Sequence, residues 1–355
     1  LLMMGAESGT IACSQLSSGT GDPIENTPEQ TEADQQTETV GLWPVFVGDR
    51  MGYIDKEGTI VINPQFGDAA PFSEGLAPVN FQLGDRYGYI DKEGTMVINP
   101  QFDYADSFSE GLARVNVQLG DRIGYIDKEG TMVINPQFDD ADPFSEGLAR
   151  VKVQVGDRMG YIDKEGTMVI NPQFDSAGSF SEGLAAVRVG ERWGYINKEG
   201  TMVINPQFDD AGSFSEGLAG AKVQVGDRLG YINKEGTMVI NPQFDSAYPF
   251  SEGLAQVQVG DRWGYIDREG TMVINPQFDD VCAFIEGLAA VRVGDRWGYI
   301  DKEGKMVINP QFDDIETSYS YTGECVMDFS EGLAQVQVGD RWGYINKEGE
   351  QVYLE

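Results

Sequence analysis

The chain has 355 residues, 41% of them hydrophobic, with 25 Lys plus Arg against 58 Asp plus Glu, a formal charge of −33 and no histidine. So negative a surface repels phosphate backbones and anionic lipid, which excludes nucleic acid as a partner. The missing imidazole removes the commonest general base, the commonest transition-metal ligand and every His-based triad, so no enzyme and no cofactor are expected.

In chain order, residues 1–13 (LLMMGAESGTIAC) read as the remnant of a signal segment. Thr10-Ile11-Ala12-Cys13 resembles a bacterial lipobox, although Thr10 stands where Leu is usual and Glu7 interrupts the apolar run. Cys13 is therefore either a lipidation site or an ordinary free thiol. Residues 14–40 contain no aromatic residue, and from residue 1 to 40 there are seven acids and no Lys or Arg. Such a segment cannot bury enough surface to offset chain entropy and reads as a disordered acidic linker, a tether or a plain tail. No stretch has the length of a spanning helix, so membrane contact is expected only through an anchor at Cys13. The expected location is outside the cytoplasm, in the periplasm, outer membrane or cell surface, with the cytoplasm as the alternative.

From Gly41 to the end the text repeats. Gly-Tyr-Ile recurs with its tyrosine at Tyr53, Tyr89, Tyr125, Tyr161, Tyr195, Tyr231, Tyr265, Tyr299 and Tyr344. Each unit reads G-L-A-x-V-x-V, then G-D-R-x-G-Y-I-D, then K-E-G-T-M-V-I-N-P-Q-F, and the units are joined by F-D-D-A-x-x-F-S-E-G. In one copy, Ala149, Val151, Val153 and Val155 alternate with polar residues, the pattern of a half-buried strand. Gly156-Asp157 is a two-residue hairpin turn, and Asp163-Lys164-Glu165-Gly166 a longer one. The third strand is Met168-Val169-Ile170, and Asn171-Pro172 is expected to stop it, because proline has no ladder donor. Each unit is thus predicted to be a three-stranded antiparallel meander.

The unit length varies by a dipeptide, an increment that lengthens a strand without exchanging its faces. Trp193, Trp263, Trp297 and Trp342 all fall in short units, where long units carry Tyr87, Ile123, Met159 or Leu229. That correlation marks these indoles, with Trp43 of the first unit, as packing residues. The end units depart from the consensus, as capping repeats do.

The Trp-Gly-Tyr-Ile-[Asp/Asn]-Lys-Glu-Gly segments, the Asn-Pro-Gln-Phe ends and the Phe-Ser-Glu-Gly-Leu-Ala openings resemble the bacterial WG (KWG) repeat family, in about nine copies over 41–355. The pattern departs from the family at 51, 87, 123, 159 and 229, where Trp is absent. The resemblance implies a β-rich interaction array without a shared activity.

A small meander must stack on its neighbours, either as an open superhelical array or as a closed β-propeller. Propeller blades usually take four strands and number four to eight, so units of 34–36 residues with three strands point to an open, all-β solenoid. The expected function is a non-enzymatic scaffold for an unidentified protein or cell-envelope partner. The alternatives are a carbohydrate- or peptidoglycan-binding module and a self-assembling surface or filament component. Asp139, Asp140, Asp142 and Glu146 are hard oxygen ligands, but equivalent loops do not keep the third acid, so calcium is not expected. Cys282 and Cys325 lie in successive linkers and are expected to form a disulfide in an exported protein. The enlarged linker 313–329, with Tyr319, Tyr321 and Met327, is the candidate for a specific contact.

Overall fold

A computed structural model describes residues 41–355 apart from 83–85, 118–121, 154–156, 224–226, 320–324 and 328. It contains nine antiparallel sheets arranged in a ring, a nine-bladed β-propeller in which strands of one blade follow each other in sequence. Blade 1 spans 43–66 and blades 2 to 9 begin at 68, 104, 140, 176, 210, 246, 280 and 314.

Blade 5 shows how the sequence makes a blade. Its strands are Ser176–Ala177, Leu184–Val189, Arg192–Asn197 and Met202–Phe208. The first strand falls in the segment read above as a linker. Two residues pair with the second strand (Ser176↔Arg188, Ala177↔Val187), and Ser181↔Leu184 closes a tight hairpin. That hairpin turns on Glu182 and Gly183, both at positive φ (53° and 83°), the backbone of a type I′ turn. The expected meander of three strands is therefore corrected to four: a two-residue strand has no readable alternation, and its turn carries Glu where asparagine or glycine would announce one.

The fourth strand also runs further than expected. In the copy analysed above it is Met168–Phe174 and continues through Pro172. It lies at the blade edge, where a missing N–H costs no ladder bond. Among the described residues blade 1 has only strands two to four, Trp43–Val47, Arg50–Ile54 and Ile60–Phe66.

The core lies between blades, not inside them. The junction of blades 4 and 5 packs Leu148, Tyr161, Ile170 and Phe174 against Ala177, Phe180, Ala185, Val187 and Ile196. Each leucine, isoleucine, valine or phenylalanine among them contributes about 1.5–3 kcal/mol on burial. Corresponding clusters fill every junction round to blades 8 and 9. A ninth cluster joins the ends: Trp43, Val45 and Ile54 of blade 1 pack against Leu333 and Tyr344 of blade 9. Trp43 Nε1 donates to Ser330 O (3.0 Å), Tyr344 OH to Pro44 O (2.8 Å) and Tyr353 OH to Phe46 O (3.0 Å). These contacts overturn the open array. The departures of the end units from the consensus, Trp43 and Tyr353 among them, fall at this seam.

Candidate interaction surface

The residues that repeat most faithfully build the junctions. Tyr161 is fully buried, its ring set edge-on to Phe180 of the next blade (4.8 Å), and its hydroxyl donates to Gly178 O (2.6 Å). Burial raises the pKa of such tyrosines, which stay protonated donors. Tyr265 makes the same bond to Cys282 O (2.8 Å), whereas among the described residues the buried Tyr299 hydroxyl has no acceptor. Tyr265→Phe should therefore destabilise by about 1–2 kcal/mol, since it orphans a buried carbonyl. Tyr299→Phe should be close to neutral. Urea denaturation of the two variants separates the cases.

A polar clasp reinforces each junction from blades 2/3 to 8/9. At blades 4/5, Glu146 accepts from Gly183 N (2.9 Å) and pairs with Lys198 Nζ (3.1 Å), while Ser145 Oγ donates to Phe180 O (2.8 Å). Desolvation pushes the Glu146 carboxyl up, but the Lys198 and Gly183 hydrogen bonds outweigh it and hold the group below its usual range. The lysine is about two-fifths exposed, so the apolar cluster beneath carries most of the energy.

These roles absorb the acids considered for calcium. Asp142 is buried in an ion pair with Arg150, which also meets Asp140 (3.2 Å). Among the described residues no group of three or more His, Cys, Asp or Glu is placed to hold a metal ion. Six turn arginines, Arg86, Arg158, Arg192, Arg228, Arg262 and Arg296, pair with the acid after the fourth strand, as Arg158 does with Asp175 (2.9 Å).

Trp43 and Trp297 are buried, at 7% and 6% exposure, while Trp193, Trp263 and Trp342 are half-buried. Three indole faces are covered: Trp193 and Trp297 lie under the guanidinium groups of Arg188 and Arg292, and Trp263 is stacked on Tyr248 (5.3 Å, 4°). Cys282 is fully buried and disulfide-bonded. Cys325 lies in strand Cys325–Met327, paired with Thr317–Tyr319; the side chains of this hairpin, with Tyr319 and Met327, lie outside those described. Tyr321 and Cys13 fall outside the described residues altogether.

Sequence reasoning missed the apolar rim. On the fourth strand of eight blades a valine between Met or Ile and Ile points to solvent: Val61, Val97, Val133, Val169, Val203, Val239, Val273 and Val307, each 41–49% exposed. The period-two alternation of Met-Val-Ile was the available signal, but the run reads equally as a buried strand.

Fold and surface together define a closed, nine-bladed repeat scaffold. The WG containing repeat family matches nine segments, 51–81, 87–118, 123–154, 159–193, 193–224, 230–263, 263–297, 297–321 and 324–342, and the chain belongs to that family. Among curated proteins none matches the chain in sequence. Of solved structures, it is similar to one described as a eukaryotic initiation factor (TM-score 0.61, 9% identity, 89% of this chain and 96% of that one), a likeness of fold alone. A virginiamycin B lyase from Staphylococcus aureus aligns with TM-score 0.36 and 14% identity, over 70% of this chain and 92% of that one, too distant to carry an argument.

Proposed function

We propose that this propeller is a non-enzymatic scaffold that holds a protein partner through many weak, equivalent contacts on its rim. The observation that carries the reading is the valine recurring at the same edge-strand position in eight blades. Contacts of that kind, each feeble, reinforce one another once the first is made. The junction chemistry supports it from the other side: the acids and tyrosines of the repeat are committed to structure, and the repeat spreads them evenly instead of gathering a perturbed pair in a cleft. The covered indoles leave a sugar ring little flat surface on which to stack, and the closed ring removes the free ends that a filament would use. An export destination fits the disulfide at Cys282, because such bonds persist in oxidising compartments.

The experiment is a graded one. Val133, Val169, Val203 and Val239 are replaced by Thr one at a time and then together, and retention of envelope proteins on the immobilised chain is quantified. The affinity should fall stepwise with each substitution. Loss of all binding at a single substitution, or none after four, would sink the reading, as would displacement of the bound proteins by soluble peptidoglycan fragments.

A further inference from the structure

Phe-Ser-Glu-Gly-Leu opens blades 2 to 9, with Ile285 in place of Ser in blade 8. In register with it, blade 1 reads Glu38-Thr39-Val40-Gly41-Leu42. The repeat therefore lacks its phenylalanine at one junction, and the structure shows the consequence. Each tyrosine from Tyr53 to Tyr299 meets a phenylalanine ring of the following blade at 4.8–5.3 Å. Among the described residues Tyr344 meets none. A cavity of about 760 Å³ opens there, walled by Leu42, Trp43, Phe72, Phe329 and Tyr344. Phe72 is half-buried, whereas Phe108 and Phe144 of the next two blades are 2% exposed.

The electrostatics of the gap are lopsided as well. Glu74, Glu316, Glu331 and the ammonium of Lys92 line it, and Glu74 is already paired with Lys128 (3.1 Å). At six other junctions the equivalent carboxylate pairs with a lysine of the next blade, as Glu286 does with Lys347 (2.8 Å), and at a seventh Arg268 donates to the backbone O of Glu216. The counterpart for Glu331 would be Lys56, which lies against Glu57 instead (3.9 Å). Among the described residues Glu331 has no basic partner.

The geometry points to a single peptide-binding groove at the seam between blades 9 and 1, built for an extended cationic segment with a phenylalanine flanked by arginine or lysine. The other junctions supply the template. The incoming ring would lie edge-on to Tyr344, as Phe180 does to Tyr161. The carbonyl of the same residue would accept from Ser330 Oγ, as Phe180 O does from Ser145. A basic side chain beside it would take the place at Glu331 that Lys347 occupies at Glu286. The volume lies within the ~300–1,000 Å³ of sites that enclose small ligands. In sequence the chain carries Glu38 at the register of those phenylalanines, and a carboxylate does not replace an apolar ring. The groove lies at the seam, where the repeat is interrupted, and does not depend on the repeated rim.

The test uses the full chain and a fluorescein-labelled heptapeptide, Gly-Ser-Arg-Phe-Ser-Arg-Gly, followed by fluorescence anisotropy. One peptide should bind per chain, and replacing its Phe by Ala should weaken binding at least tenfold. Glu38→Phe restores the repeat sequence in cis, so it should also weaken binding at least tenfold with an unchanged circular dichroism spectrum. Glu331→Gln should weaken it several-fold and reduce its salt dependence. Equal binding by the Glu38→Phe chain, equal binding of the Phe-less peptide, or no binding to the wild-type chain would each overturn the proposal.

Discussion

Gly194→Ala should lower stability by about 3 kcal/mol or more, a large effect for a single added methyl group. A Cβ on Gly194 would lie 2.4 Å from Ile204 O, 2.8 Å from Pro206 N and 2.9 Å from Asn205 C, all backbone atoms that no rotamer change can move aside. The cause is a bulge. Trp193 pairs with Phe208 and Tyr195 with Ile204, so three residues of the fourth strand arch over one glycine. The same crowding recurs at Gly52, Gly88, Gly124, Gly160, Gly230, Gly264, Gly298 and Gly343. The glycine after the aromatic position is thus a steric requirement of the arch, as bulges commonly impose. Urea unfolding of Gly194→Ala against Gly178→Ala, whose added carbon meets nothing nearer than 3.9 Å, isolates the effect. Equal midpoints would refute it.

Trp43→Ala is expected to cost about 3–5 kcal/mol, the range for emptying a buried tryptophan site. The cluster at the seam has five buried members, fewer than at any other junction, and Trp43 is the largest of them. Its indole also donates to Ser330 O, which keeps only the Leu333 N–H (3.2 Å) after truncation, so a hydrogen bond is lost as well as a hole left. Hydrogen exchange should show the loss concentrated in Trp43–Val47 and Leu333–Val338, the strands that meet there. Trp263→Ala, at a half-buried position inside the ring, should cost less. If both substitutions shift the unfolding midpoint equally, the seam is not the weak junction.

Much of this architecture could be read from the residues. The Val-x-Val alternation, the two turns and the nine Gly-Tyr-Ile anchors place three strands of each blade, because a two-residue period and turn glycines are local signals. The remaining strand was illegible: Asp140–Ala141 is two residues long and is defined only by its pairing with Val151 and Lys152. Ring closure was hidden for a different reason. It is a sum of small rotations between blades, and none of the residues at Trp43, Tyr344 or Tyr353 reveals how far the chain has turned before they meet. The site was half legible. Glu38 in place of phenylalanine is visible in any alignment of the copies, but it reads as an end effect until Tyr344 is seen, among the described residues, without a phenylalanine ring against it.

The Glu-Gly hairpins carry a further consequence. Eight glutamates, from Glu74 to Glu331, sit at φ near 50°, a left-handed backbone that costs a non-glycine residue about 1–2 kcal/mol. Where the clasp forms, its carboxylate reaches forward to the blade that follows and never back to the one before, so the ring has a sense of rotation built into its chemistry. Damage to one such carboxylate should loosen the downstream neighbour and spare the upstream one, making the molecule a one-way chain of dependence bent into a circle.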